Sequence, residues 1–187
     1  MRRKRESHHK CLKGIILNIE AEREKLRGLQ AVFQKAVKEN TMDVMRPHCS
    51  PHFSFVSFTD RSFKDFESFF QRWQITREEM VGKEGAFETD LRPEPSLFFG
   101  DIAVCQGKSL NKMKNRKGTD FEFTSNWTVI FKKEDSNWKV VRAHNSLDPF
   151  ANPMLIDGVK RKIVMIAAVT GIVGIALGLV LSRLVGL

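Results

Sequence analysis

The 187-residue chain contains no tyrosine. No phenol is therefore available as an acid or hydrogen-bond donor anywhere in the molecule. Cysteine is scarce. Cys11, Cys49 and Cys105 are odd in number, far apart and form no C-x-x-C pair. That speaks against a disulfide framework and fits a reducing compartment. No glycine-rich phosphate loop, Ser-His-Asp order or H-E-x-x-H occurs, so these nucleotide, hydrolase and zinc-protease signatures are missing. Acidic residues are in deficit: 22 Asp and Glu against 31 Lys and Arg leave a net charge of +9. Such a surface attracts an acidic partner, whether phospholipid, nucleic acid or protein.

Charge is also missing locally. From Ile163 to Ser182 the chain reads IVMIAAVTGIVGIALGLVLS. An uncharged run of about twenty residues predicts a helix spanning a hydrocarbon core of roughly 30 Å. Lys160, Arg161 and Lys162 precede it and Arg183 alone follows. These are the expected membrane-contact residues, and their asymmetry predicts a cytoplasmic N-terminal part on a C-terminal, tail-anchoring span. Gly171, Gly174 and Gly178 lie on one side of the span, a pattern that lets two helices approach closely. At the other end, MRRKRESHHK reads as a basic tail, either solvated or touching anionic lipid. His8 and His9 alone make no metal site.

Between the ends the periodicity changes. Ile15, Ile19, Leu26, Leu29, Val32, Phe33, Ala36 and Val37 recur at helical spacing over 15–40. Asn40 is a stop, and Thr41 a cap for a short second helix around Asp43, Val44 and Met45. FSFVSFTD (53–60) alternates as a strand. Phe66, Phe69, Phe70 and Trp73 fall on one helical face, and a short strand follows near 86–91. Then come three longer strands, SLFFGDIAVCQG, FEFTSNWTVIFKK and WKVVRAHNS. KSLNKMKNRKG reads as a basic hairpin loop between the first two, and EDSN as a tight turn between the last two. LDPFANPMLIDG reads as a linker. The divisions are thus 1–14 tail, 15–147 domain, 148–162 linker with a basic cluster, 163–182 span and 183–187 tail. Helices first and antiparallel strands last predict an α+β domain whose N-terminal helices cover one face of a curved sheet.

LQAVFQKAVKENTMDVMRPHCSPHFSFVSF, FFGDIAVCQG and FTSNWTVIFKKEDSNWKVVRAHNS resemble the nuclear transport factor 2-like superfamily, close to its SnoaL-like and ketosteroid-isomerase-like branches. The resemblance covers roughly 25–147, and the final hairpin with its His-x-Ser is its most specific part. It implies a cone-shaped fold, a pocket between helices and sheet, and dimerisation through the outer sheet face. The same fold carries enzymes, transport adaptors and kinase assembly domains, so the site must decide function.

The isomerase branch needs a carboxylate base and an oxyanion donor, commonly tyrosine, which this chain lacks. Strand alternation puts Trp138, Val140, Arg142 and His144 on one face, and Val141, Ala143 and Asn145 on the other. Resemblance to the kinase association domain makes Asn145 the pocket-facing residue, which turns His144 outward. His144, Asp60 and Asp101 remain weak catalytic candidates, the two aspartates being placed as turn formers. In HCSPH (48–52), Pro51 spoils the helical spacing a zinc pair would need. The expected pocket lining is Phe33, Phe55, Phe69, Trp73, Trp127, Val129, Val141 and Asn145. That set suits a hydrophobic small molecule or, more simply, a filled core. Lys108, Lys112, Lys114, Arg116 and Lys117 would meet lipid headgroups or an acidic partner. Aromatic residues are not interleaved among them, which argues against nucleic acid.

The expectation is a non-enzymatic, membrane-tethered binding or assembly module without metal or cofactor. Its partners would be membrane lipids and either a second copy or a subunit of a membrane complex. The rival is an isomerase, dehydratase or cyclase acting on a lipophilic substrate. Converging ionisable groups inside the pocket would favour the rival.

Overall fold

The computed structural model describes the backbone of residues 2–185 and the side chains of residues 19–153 and 155–181. The side chains of the N-terminal basic run and of Arg183 lie outside that description. The chain divides into two compact units, 1–147 and 148–187.

The first unit opens with α1 (Arg2–Glu39), whose backbone continues the predicted helix back through the basic run. Leu26, Ala36 and Val37 bury its inner stripe, with Leu29, Val32 and Phe33 packed beside them. Its outer face carries ion pairs such as Glu24–Arg27 at 2.6 Å. Such exposed pairs add a few tenths of a kcal/mol each. Asn40 ends the helix in the left-handed region, at φ 57°, a conformation asparagine tolerates. A 3-10 helix follows (Met42–His48), and the Thr41 side chain makes no capping hydrogen bond to it. Met42 and Met45 hold it by burial instead.

The sheet comprises β1 (Cys49–Val56), β2 (Ser62–Phe63), β3 (Ala86–Pro93), β4 (Leu97–Phe99), β5 (Ile102–Lys114), β6 (Asp120–Glu134) and β7 (Asn137–Ser146). The strand order is β2-β1-β7-β6-β5-β3, and β4 also pairs with β5. Pairing is antiparallel except between β1 and β7, which run parallel. Helix α2 (Phe66–Met80) starts at Asp65, whose carboxylate accepts the Ser68 N–H at 2.7 Å. The β6–β7 turn has Asp135 at φ 47° and Ser136 at φ 66°. Both residues being left-handed matches the twist of the flanking strands.

Three sequence expectations change. KSLNKMKNRKG is mostly strand, because β5 runs on to Lys114 and the loop is confined to 115–119. Two of its inward residues, Ser109 and Asn111, are polar and only Met113 is apolar, so the apolar alternation that marks a half-buried strand is broken. SLFFGDIAVCQG is two strands, β4 and β5, folded at Gly100–Asp101. Trp138 and Val140 do not share a face with His144. Phe131 pairs with Val140 and Ile130 with Arg142, so Val141 is an extra residue. This bulge reverses the alternation. Trp138 and Val140 are buried before it, Arg142 and His144 are exposed after it, and Ala143 packs on the core.

Glu22 fastens α1 to the sheet. Its carboxylate accepts Trp138 Nε1–H at 2.6 Å, and Lys133 Nζ and Lys25 Nζ at 3.0 and 2.9 Å. Burial pushes this carboxyl upward, but the hydrogen bonds from Lys25, Lys133 and Trp138 win and hold it at about 2.

The second unit is a short 3-10 turn (Pro149–Ala151) and α3 (Pro153–Val185). Much of the predicted linker is thus helical, including Lys160–Lys162, and Arg161 pairs with Asp157 at 2.7 Å. Leu155–Leu181 is long and apolar enough to cross a membrane. At 1.5 Å per residue those 27 residues reach about 40 Å.

Because the Glu22 pKa is lower folded than unfolded, its contribution is complete above about pH 4.5 and disappears as pH falls through about 2. The group sits at the edge of the domain, where water screens it, so Glu22→Gln is expected to cost about 1–2 kcal/mol at pH 7. Denaturant midpoints of wild type and variant should converge as pH falls from 5 towards 2.

Candidate functional site

The helix-facing side of the sheet is where this architecture can hold a ligand. Cross-strand partners share a face, so the register assigns it directly. Ala103, Cys105, Gly107, Ser109, Asn111 and Met113 of β5 stand opposite Phe131, Val129, Trp127, Ser125, Phe123 and Phe121 of β6. At Gly107 the backbone of β3 passes so close that a Cβ would lie 2.2 Å from the Arg92 carbonyl oxygen. Only glycine fits that crossing.

Aromatic side chains pack against one another over the middle of this face. The Phe55 and Phe69 rings meet edge-on at 5.0 Å, Phe69 and Trp73 lie 6.4 Å apart, and Trp73 stacks on Phe87 at 6.1 Å. Phe33, Phe55, Phe69, Trp73 and Val129 therefore come together, half-buried, against the core to which Trp127 belongs. Val141, the bulge residue, is not part of that cluster. Asn145 lies opposite Trp127, and its Oδ1 is buried without a hydrogen-bond partner.

Farther along the face is a polar cluster that sequence reasoning missed. Ser109, Asn111 and Ser125 are all buried. The two serine hydroxyls share a hydrogen bond of 2.6 Å. Asn111 Nδ2 approaches the Ser125 hydroxyl at 3.1 Å and the carbonyls of Ser109 and Phe123 at 3.2 and 3.3 Å. The signal available was the alternation Ser109-x-Asn111-x-Met113, which is a strand period carried by polar side chains. None of these groups titrates near neutrality, so the cluster can orient a ligand or order the sheet but cannot transfer protons by itself.

The catalytic candidates lie elsewhere. His144 is exposed on the opposite face, beside Thr128. Asp101 is exposed in the β4–β5 turn, and its carbonyl accepts the Lys133 N–H at 2.7 Å. Thr128 to Lys133 is five residues of strand, about 17 Å at the usual rise, so His144 and Asp101 cannot act as a pair. Asp60 is exposed in the β1–β2 turn at φ 59°. His48 ends the 3-10 helix and His52 lies in β1. Among the described residues no group of His, Cys, Asp and Glu is placed to hold a metal ion.

The fold is nuclear transport factor 2-like. The solved structures it resembles include a conserved protein from Planctomyces limnophilus, with a TM-score of 0.61 and 16% identity, covering 69% of this chain and 98% of that one. A nuclear transport factor 2-like protein of unknown function from Pseudomonas putida gives 0.57 at 16% identity, covering 68% and 87%. The association domain of CaMKII from C. elegans gives 0.55 at 14% identity, covering 69% and 98%. No protein-family model matches the sequence, and no curated protein does.

Within this nuclear transport factor 2-like domain, Cys49 and Cys105 are held in the thiol form. Burial pushes the Cys49 thiol up to about 12, against weaker lowering by Lys139 and Arg46. Burial also raises Cys105, partly offset by Ser96, whose hydroxyl lies 3.1 Å from the sulfur. Thiolate is the reactive form. At pH 8, iodoacetamide should leave both cysteines unmodified in the folded protein and label both in denaturant, as read by peptide mass mapping. A second expectation concerns the polar cluster: Asn111→Ala should lower stability by about 1–3 kcal/mol in urea unfolding, because it removes the buried donor that the Ser125 hydroxyl and the Ser109 and Phe123 carbonyls accept from.

Proposed function

We propose that this chain is a tail-anchored, non-enzymatic assembly module, with its nuclear transport factor 2-like domain on the cytoplasmic side and its α3 helix in the bilayer. The observation that carries the reading is the helix-facing side of the sheet, where the inward residues of β5 and β6 are all uncharged, whereas an isomerase would need a base and an oxyanion donor there. The three candidate catalytic residues are exposed, and His144 and Asp101 lie too far apart to act together.

The outer sheet face supports assembly. Phe98 turns inward onto Trp138, with ring centroids 6.0 Å apart, which turns Leu97 and Phe99 outward. These two are 58% and 62% exposed. Leu97 pairs with Val104, which pairs with Ile130, and Phe99 pairs with Ile102. The result is a continuous apolar strip across three strands, a surface type that marks contact sites. Arg142 and His144 lie beside it on β7. The similarity to a CaMKII association domain adds support for self-association through this fold.

The membrane part rests on the uncharged run of α3 and on the Lys160–Lys162 block before it. The spacing of Gly171, Gly174 and Gly178 along the span suits a second span packing there.

Native mass spectrometry of the full-length protein, gently extracted from membranes, tests the reading. A homo-oligomer or a co-purifying protein is expected. Leu97→Asp with Phe99→Asp should shift an oligomer to monomer at micromolar concentration without changing the far-ultraviolet circular dichroism. A small lipophilic molecule bound at unit stoichiometry inside a monomer would favour the enzyme instead.

A further inference from the structure

A second recess lies away from the sheet. It is a cleft of about 470 Å³ between the C-terminal end of α1, the start of the 3-10 helix and α2. Its volume is that of a small-molecule site. Phe70 and Trp73 form an apolar wall, and the Trp73 indole N–H is donated to Asn40 Oδ1 at 3.2 Å. Asn40 is in turn held in its left-handed conformation at the end of α1. The wall is thus fixed before any ligand arrives.

Arg77 is the anomaly of this cleft. It lies one helical turn beyond Trp73, and its Nη1 is buried with no hydrogen-bond partner. A guanidinium stays charged in proteins, and a buried donor left unmade is costly, more so when it is ionic. Burial alone lowers its affinity for the proton, with no acid beside it to compensate.

The remaining charges of the cleft are mostly engaged. Lys38 pairs with Glu88 at 2.9 Å, Asp43 with Arg46 at 2.8 Å, and Glu39 with Lys35 at 4.0 Å. That leaves Arg77 and the exposed Lys83 against Glu78. Glu78 follows Arg77 directly in α2, and successive helical residues do not face each other. The lining thus carries three basic and three acidic side chains, and what sets it apart is the buried, unpartnered Arg77 Nη1 beside the aromatic wall.

We propose that this cleft is an anion site, in which Arg77 and Lys83 take a phosphate-type oxyanion against the Trp73 wall. A modest rotation of the long Arg77 side chain brings Nη1 to the anion and supplies the acceptor it lacks. The oxyanion belongs either to a free phosphorylated small molecule or to a lipid headgroup, and both satisfy the same donors.

The test uses the full-length protein in neutral-lipid nanodiscs, titrated with inorganic phosphate at an ionic strength held constant with chloride. Tryptophan emission and thermal midpoint are read together. A saturable response is expected, weakened at least tenfold in Arg77→Gln and several-fold in Lys83→Ala. Because Lys83 is exposed, its variant keeps the test valid if Arg77→Gln folds poorly. A second arm replaces free phosphate with nanodiscs containing phosphatidic acid. If those discs reproduce the emission change and block inorganic phosphate, the headgroup is the source; if they do not, a free phosphate is. The site is overturned if neither probe gives a response above chloride, or if both variants respond as wild type does.

Discussion

The β5–β6 ladder is the constraint on which the domain is built. Its pairing runs unbroken from Ile102 opposite Lys132 to Lys114 opposite Asp120. One edge of it takes both β3 and β4, and the other takes β7, which then carries β1. Its inward residues set what the helices must cover. Where they are aromatic or aliphatic, α1 and α2 supply apolar partners, and burial of that surface provides the main stabilisation. Where they are Ser109, Asn111 and Ser125, the side chains satisfy one another. A buried polar group is tolerable only on that condition.

The second constraint is the bulge at Val141. By inserting one residue it lets β7 bury Trp138 and Val140 at one end while keeping Ala143 and Asn145 inward at the other. The Trp138 indole then reaches Glu22, which joins the far edge of the hairpin to α1. The same insertion keeps Arg142 and His144 on the outer face. One extra residue thus serves the core and the outer surface together.

Function in this chain is a matter of where polarity falls. The inward face holds neutral hydrogen-bonding groups, the outer face an apolar strip with Arg142 and His144 beside it, and the cleft beside α2 an unpartnered guanidinium. This distribution of polarity is the ground for the assembly role proposed above. Its α3 carries side chains such as Ile172 and Ile175 at 68% exposure, and in water such a helix would need cover from lipid or another protein.

Local chemistry sufficed for much of this. The 3.6-residue stripe of α1, the aromatic face of α2, the left-handed turn at Asp135–Ser136 and the uncharged run of α3 are each properties of adjacent residues, so they could be read in order along the chain. The extension of β5, the bulge in β7 and the company kept by Asn111 could not. Each depends on what lies across a ladder from a residue distant in sequence, and a polar side chain facing inward looks the same in a sequence as one facing water. That pairing put His144 on the outer face and Asp101 some five residues farther along β6, and it brought Ser109, Asn111 and Ser125 together on the inner one.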